Sequence, residues 1–264
     1  MNILSRLTRR ATWAGLALLL WSAGAALAAE IQVMSSGGFT AAYNQLVPLY
    51  EQASKHKVST AYGASMGAAP DAIPNRLARG EPADIVILAG PALDRLIEQG
   101  QVVAGSRVDL GLSLIGLSVR KGAPRPDIST VAALKQTLLN AKSIAYSASA
   151  SGTYLASELF PRLGVAEQLK DKARRIYSER VGAVVARGEA ELGFQQVSEL
   201  LPFQELDFVG PLPDEVQQKV YFSAGIAVGA KEPAAARDLI LFLASPAAAP
   251  IVRSTGLTPL AVKP

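Results

Sequence analysis

The 264-residue chain contains no cysteine and only one histidine, His56. Without cysteine it can form no disulfide bond, thiolate metal site or cysteine nucleophile. A single histidine cannot build a multi-histidine metal centre, and its position between Lys55 and Lys57 argues against a Ser–His–Asp triad. The sequence also lacks a P-loop, the dinucleotide-binding glycine spacing and a Gly-x-Ser-x-Gly elbow. We therefore expect no metal and no other cofactor.

Long apolar runs are scarce, and the most prominent one lies near the N-terminus. Residues 14–21 are apolar, follow three arginines within residues 6–10, and precede the small-x-small pattern Ala26-Leu27-Ala28. This order predicts a cleavable secretory signal peptide over residues 1–28 and a mature protein in a bacterial periplasm. The run is too short for a membrane span, so we expect no membrane insertion after cleavage.

Excess charge is also small once the signal peptide is set aside. The full chain carries a net charge of +4, but three of its basic residues fall in the signal peptide. The mature chain then has 23 basic against 22 acidic residues. A balance of about +1 gives no reason to expect nucleic acid or a membrane surface as a partner.

Short β runs alternate with amphipathic helices along the mature chain, which favours an α/β fold. We expect two lobes of mixed sheets with helices on both faces. Residues 30–111 joined by 224–264 form the predicted lobe 1, and residues 112–223 form lobe 2. Two crossings between the lobes would make a hinge, and the cleft at that hinge is the expected ligand site. A single doubly wound domain with a longer sheet is the alternative.

Four predicted strand-to-helix loops are rich in small residues, at 35–38, 64–67, 147–152 and 178–180. Small residues let a ligand approach the backbone, and the free N–H groups of a helix's first turn favour an anion there. Such loops meet at the carboxyl ends of the strands, where α/β sheets bind ligands. The candidate binding residues in the first three loops are Ser36, Gly37, Gly38, Ser65, Met66, Ser149, Ser151 and Gly152.

Two arginines near these loops, Arg76 and Arg180, are candidate anion clamps. A planar guanidinium grips a carboxylate or oxyanion with two parallel hydrogen bonds. The alternative is that each is an ordinary helix arginine, solvated or paired with an acid such as Glu81. Both interpretations stay open at this stage.

Two amides and two tyrosines complete the candidate set. Gln195-Gln196 ends the apolar run Leu192-Gly193-Phe194, so both amides should be partly buried and need partners. They could orient a ligand's oxygens or tie the two lobes together. Tyr62 and Tyr154 border candidate loops and could offer hydroxyl groups or serve only in packing.

Several stretches carry a family resemblance, among them residues 34–40, 79–85, 187–193 and 244–246. Over essentially the whole mature chain, the sequence resembles the periplasmic type 2 solute-binding proteins, within the branch of the molybdate-binding receptors. That resemblance implies the two-lobed fold with its ligand cleft at the hinge. It also implies one possible role, a receptor that delivers molybdate, tungstate or another small anion to an inner-membrane ABC permease without catalysis.

The sequence departs from those receptors where they contact their ligand. Gly38 falls where they carry a serine, and Gln195-Gln196 falls where they carry a tyrosine. These changes and the nearby arginines suggest a larger ligand that bears carboxylates. The chain is similar to the periplasmic aconitate isomerases, which share the fold. That resemblance implies that trans- and cis-aconitate are interconverted by an allylic proton shift, with Arg76 and Arg180 as clamps. Tyr62, Tyr154 or a cleft serine are the candidate bases.

Overall fold

The computed structural model describes residues 28–177 and 179–260. Apart from its last residue, the signal peptide predicted over residues 1–28 lies outside them, as does Ser178 of the fourth predicted loop. No helix in the described part of the chain is long and apolar enough to cross a membrane.

The strands alternate with helices along the chain, as the sequence pattern predicts. The strands within the described residues are β1 Glu30–Ser36, β2 Lys57–Gly63, β3 Ile85–Ala89, β4 Val108–Ser113, β5 Ile115–Arg120, β6 Ile144–Ser147, β7 Ala173–Ile176, β8 Leu192–Gln196, β9 Leu206–Pro211, β10 Val220–Ile226 and β11 Thr258–Pro259.

The helices vary from a single turn to five turns. They are α1 Gly37–Ser54, α2 Ile73–Ala78, α3 Gly90–Glu98, α4 Val131–Asn140, α5 Ala150–Tyr154, α6 Phe160–Arg162, α7 Ala166–Leu169, α8 Val181–Ala186, α9 Val197–Leu200, α10 Pro233–Leu243 and α11 Ala249–Ser254. A π-helical turn, Leu155–Leu159, joins α5 to α6, so that residues 150–162 form one helical run.

The strands form two mixed sheets. The first sheet has the order β11-β4-β10-β3-β1-β2, and the second has the order β7-β6-β8-β5-β9. In the first sheet β1 lies parallel to β2 and β3, whereas β10 is antiparallel to β3 and β4. In the second sheet β6 is parallel to β7 and β8, and β5 is antiparallel to β8 and β9. The predicted α/β class with mixed sheets is therefore confirmed.

Each sheet is covered on both faces, which explains its continuous apolar strands. Every residue of β3 is buried. Because side chains alternate along a strand, Ile85 and Ile87 join a cluster with α1 and α10, while Val86 and Leu88 join one with α2 and α3. The second sheet likewise has a separate apolar cluster on each side.

A buried carboxylate accounts for the conspicuous Arg-Gly-Glu-Pro-Ala-Asp stretch of the sequence. Asp84, which is 2% exposed, accepts hydrogen bonds from the backbone N–H groups of Gln32, Lys231 and Glu232 at 2.6–3.0 Å. It thereby ties β1 to the segment that opens α10. Gly80 ends the preceding helix with a φ of 76°, a conformation that favours glycine. This stretch serves the fold rather than the ligand site.

The chain crosses between the sheets twice. The first crossing joins β4, which ends at Ser113, to β5, which begins at Ile115, and the second joins β9 to β10. Gln217 in the second crossing accepts from the Ile115 N–H at 2.8 Å and donates to its carbonyl at 3.0 Å. The first crossing falls just after the predicted boundary at 111/112, whereas the predicted boundary at 223/224 falls inside β10, a strand of the first sheet. The lobes as separate moving bodies stay a prediction.

Two helices begin inside the predicted serine- and glycine-rich loops. The N-cap of α1 is Ser36, and the Thr40 hydroxyl donates to the Ser36 carbonyl inside the first turn. The helical run 150–162 begins at Ala150, within the predicted loop at 147–152. Each of these loops therefore holds a helix N-terminus.

Candidate functional site

A cleft of about 190 Å³ lies where loops from the two sheets face each other. The residues that line it follow the carboxyl ends of β1, β2, β6, β7 and β8, the edge at which α/β sheets usually bind ligands. Within residues 28–177 and 179–260, no three His, Cys, Asp or Glu side chains are grouped as a metal site would require.

Backbone donors form one part of the cleft. The 18-residue helix α1 begins at Gly37, and its N-cap Ser36 makes no side-chain capping bond. The helical run 150–162 also has no side-chain capping bond from its N-cap Ser149, and within the described residues only the Gly152 N–H of its first turn is engaged by a side chain, donating to Ser147 Oγ at 3.4 Å. First-turn N–H groups without such caps, at the positive end of a helix, are suited to bind a carboxylate or another anion.

Two glycines in this part are required by what packs against them. A Cβ atom at Gly38 would lie 1.9 Å from Cζ of the Phe222 ring. A Cβ atom at Gly37 would lie 2.0 Å from Oε1 of Glu199. Real Cβ contacts are not this short, so a larger residue at either position would displace its neighbour. Gly37 thus lets an acidic side chain reach the start of α1.

That acidic side chain, Glu199, is held in place from one side. The Gln195 amide donates to Glu199 Oε1 at 2.9 Å, and its own oxygen accepts from the Val181 N–H at 3.1 Å. Because a backbone N–H can only donate, the second bond determines which way the amide points. Burial raises the pKa of Glu199 to about 7, although the charge of Arg180 and the Gln195 hydrogen bond lower it in part.

Arg180 and Gln196 bring unpaired polar groups to the same cleft. Arg180 precedes α8, is exposed, and forms no ion pair with any residue the structure describes. Gln196 is 2% exposed, and neither its amide nitrogen nor its oxygen has a partner in the described part of the chain. Buried amides normally have partners, so an unpaired one in a cleft wall points to a ligand.

The structure brings most of the predicted site residues together. Those that line the cleft are Gly37, Gly38, Tyr62, Ser65, Ser149, Ser151, Arg180, Gln195 and Gln196. Some of their hydroxyl groups are already engaged: Ser65 Oγ accepts from the Ala89 N–H at 2.9 Å, and Ser151 Oγ contacts Ser147 Oγ at 3.0 Å. The remaining predicted residues, Ser36, Met66, Arg76, Gly152 and Tyr154, are not among the lining residues.

Arg76 and Tyr154 lie outside the cleft, where each interacts with a partner. Arg76 pairs with Glu81 at 2.7 Å, as the alternative interpretation has it. The Tyr154 hydroxyl donates to the Val216 carbonyl at 2.8 Å, within the core of the second sheet. Desolvation raises the pKa of both Tyr154 and Tyr62. Since a tyrosine base must ionise, this opposes such a role for either.

Glu199 is the functional candidate that our sequence analysis misses. It lies on α9, a single turn of four residues that apolar periodicity does not reveal. The signal in the sequence is its position, four residues after Gln195 in a stretch that is otherwise apolar or amide-rich. An acid in such a stretch is unusual, and it could have been named as a candidate on that ground.

Comparison with known proteins is consistent with this geometry. The model of the family described as bacterial extracellular solute-binding proteins matches residues 31–258. The chain is 50% identical to an aconitate isomerase from Pseudomonas sp over 234 residues, which cover 89% of each protein. It is 28% identical to the molybdate-binding protein ModA of Azotobacter vinelandii, over 88% of this chain and 91% of that protein.

A solved structure supports the fold. The periplasmic molybdate-binding protein of Azotobacter vinelandii matches with a TM-score of 0.70 and 21% identity, over 89% of this chain and 99% of that one. At this identity the likeness concerns the fold alone. The resemblance drawn from the sequence is confirmed, and the chain belongs to the bacterial extracellular solute-binding proteins.

Proposed function

We propose that the protein is an isomerase that interconverts trans- and cis-aconitate in the cleft between its two sheets, without a cofactor. The observation that carries this proposal is the 50% identity to the Pseudomonas aconitate isomerase over 89% of the chain. The resemblance to the periplasmic aconitate isomerases implies the same activity, and the departures at Gly38 and Gln195-Gln196 suggest a ligand that bears carboxylates. The cleft supports it because its polar groups suit a polycarboxylate.

The substrate carries three carboxylates around a double bond, and the reaction moves that bond by one position. A base must remove a proton from the methylene carbon and return a proton to the other end of the allylic system. The negative charge that develops in between spreads over three carbons and their carboxylates. Fixed N–H donors and a guanidinium stabilise such a charge most when they are already oriented for it.

The cleft supplies donors of this kind from several directions. First-turn N–H groups at Gly37 and Gly38 and at the start of the run 150–162 would each hold a carboxylate. The unpaired guanidinium of Arg180 would hold another carboxylate of the substrate, and the buried amide of Gln196 would orient that carboxylate. Arg76 does not belong to this set, because Glu81 already occupies its guanidinium.

Location and motion are two further parts of the proposal. We propose that residues 1–28 direct export, that the mature protein works in the periplasm, and that the lobes close over the ligand. Membership in a family of extracellular solute-binding proteins supports the first two points. The two crossings joined through Gln217 support the third.

A second candidate function is a receptor that binds a small oxyanion and presents it to an ABC permease. The 28% identity to a molybdate-binding protein over 88% of the chain favours it. A receptor that only binds its anion has no use for a proton acceptor in its cage, whereas the isomerase requires one. The carboxyl group of Glu199 in the cleft wall therefore argues for the isomerase.

The test is to purify the exported protein and incubate it with trans-aconitate while chromatography follows cis-aconitate. Calorimetry with trans-aconitate, molybdate and tungstate runs in parallel. We expect turnover to an equilibrium mixture and binding of the tricarboxylate. Tight molybdate or tungstate binding without any conversion of aconitate would instead establish the receptor.

A further inference from the structure

We propose that Glu199 is the catalytic base, and that its carboxylate removes the proton from one carbon of the substrate and returns it to the other. This inference rests on the proposed isomerase function and assigns a residue to its central step. No comparison reported above gives Glu199 a role.

The first argument is position. Glu199 lines the cleft, and the Gly37 contact places its carboxylate against the first turn of α1. A substrate carboxylate on those N–H groups would bring its neighbouring carbon close to Glu199. General-base catalysis requires this proximity before any question of acidity arises. The Ser198 hydroxyl strengthens the arrangement, because it donates to the Gly38 carbonyl at 2.6 Å and joins α9 to α1.

The second argument is that one carboxylate oxygen is held and the other is available. Oε1 accepts from Gln195, whose orientation is determined by the Val181 N–H. Oε2 accepts no hydrogen bond from residues 28–177 or 179–260. A carboxylate that is anchored at one oxygen and open at the other can point its free oxygen at the substrate throughout the reaction.

The third argument is that the other acids of the cleft are poorly placed. Asp71 and Glu179 also line it, but both are exposed. Glu179 is paired with Arg187 at 2.9 Å. Tyr62 donates its hydroxyl to Asn44 at 2.6 Å, and desolvation raises its pKa. Glu199 is the lining acid that is desolvated and held in a fixed orientation.

The acidity of Glu199 is consistent with the role. Its pKa is raised to about 7 by burial. A group that must take up a proton and release it in the same turnover works best when its pKa lies near the working pH. The charge of Arg180, which lowers the pKa, would be shared with the substrate once it binds.

The proposed step balances without a co-reactant. The Glu199 carboxylate takes a proton from the methylene carbon, so that a C–H bond breaks and an O–H bond forms. The electron pair spreads over the allylic system and its carboxylates. The carboxylic acid then protonates the former vinylic carbon, the double bond lies one position away, and Glu199 is an anion again. The conformation in which the cleft holds the terminal carboxylates decides between the trans and cis product.

The test compares the exported wild-type protein with Glu199→Gln, which keeps the shape of the side chain and its contact with Gln195. We expect kcat for trans-aconitate to fall at least about 100-fold, the usual contribution of a general base. Affinity for trans-aconitate, measured by calorimetry, should stay within about threefold. Glu158→Gln, an exposed glutamate away from the cleft, is the matched control and should keep wild-type turnover.

A second measurement does not depend on turnover. A bound tricarboxylate should raise the pKa of Glu199, so binding at pH 7.5 should take up part of a proton in the wild type and none in Glu199→Gln. Calorimetry in buffers of different ionisation enthalpy measures this proton uptake. The measurement on the wild type tests the inference even where the variant folds poorly, because a wild type that takes up no proton contradicts the inference. If the wild type converts aconitate and Glu199→Gln does so with nearly the same kcat, the role of Glu199 is overturned while the proposed function stands. No aconitate turnover in the wild type overturns the proposed function instead.

Discussion

The two walls of the cleft differ in what they contribute. The wall that follows the first sheet contributes mainly the backbone N–H groups at the start of α1, with Gly37 and Gly38 at its centre. The wall that follows the second sheet adds the start of the helical run 150–162 and carries the side chains that can act in the reaction, namely Arg180, Gln196 and Glu199. Backbone donors bind many anions without distinguishing them, whereas side chains give a site its reaction. The difference explains how one fold could serve as receptor or as enzyme.

The largest effect we expect comes from the first wall. Gly38→Ala would place a methyl group 1.9 Å from the Phe222 ring, so either the ring or the first turn of α1 must move. Overpacking of this kind should lower the free energy of unfolding by about 3 kcal/mol. Urea denaturation measures it, with Gly229→Ala as control, since no atom lies within 4 Å of that position. Equal stabilities of the two variants would show that the first wall tolerates side chains.

The second prediction concerns stability on the other wall. Burial raises the pKa of Glu199 from 4.5 to about 7. The folded state therefore binds this proton more tightly than the unfolded state, and the carboxyl group destabilises the protein as the pH rises through 7. Glu199→Gln should raise the free energy of unfolding at pH 8 by about 2 kcal/mol and leave it nearly unchanged at pH 4.5. Denaturation at both pH values checks this, and a gain independent of pH would contradict it.

The third prediction compares two arginines. Arg180→Ala should weaken trans-aconitate binding about 10-fold, because the exposed guanidinium contributes a screened, charge-assisted hydrogen bond. Arg76→Ala should leave the affinity unchanged, since its guanidinium is paired with Glu81 outside the cleft. Calorimetry distinguishes the two variants. A larger loss for Arg76→Ala than for Arg180→Ala would reverse the assignment of the clamp.

The smallest effect concerns Gln196. The volume-conserving change Gln196→Met removes a buried amide that has no partner within the described residues. We expect the free protein to gain about 1 kcal/mol of stability, while its affinity for trans-aconitate falls several-fold. Thermal unfolding with and without the ligand measures both changes. A variant that loses stability without the ligand would show that Gln196 is structural.

The sequence predicted the first wall well and the second wall in part. Serines and glycines after parallel strands form a local pattern, and their meeting at one edge follows from the α/β topology alone. Arg180 and Gln195-Gln196 could be marked because they border such loops. Glu199 could not, because its place in the cleft depends on contact with Gly37, which lies 162 positions earlier in the chain, and on a helix of one turn.

The same limit applies to the fold. A long periodic segment such as α10, Pro233–Leu243, is visible in the sequence because its apolar positions repeat over several turns. The single-turn α9 and the strands β4 and β9 give weaker signals, because their apolar patterns are short or broken by polar residues. The ion pair with Glu81 decides between the two interpretations of Arg76. Glu81 lies only five residues away, so the sequence already offered this pair as the alternative.

The most direct test is a crystal structure of Glu199→Gln with trans-aconitate. We predict that the ligand lies in the cleft, with one carboxylate on the N–H groups of Gly37 and Gly38 and another near Arg180. Its methylene carbon should lie within about 3.5 Å of the side-chain amide at position 199, the distance of a near-attack geometry. A ligand outside the cleft, or one whose methylene carbon faces away from position 199, would contradict the account.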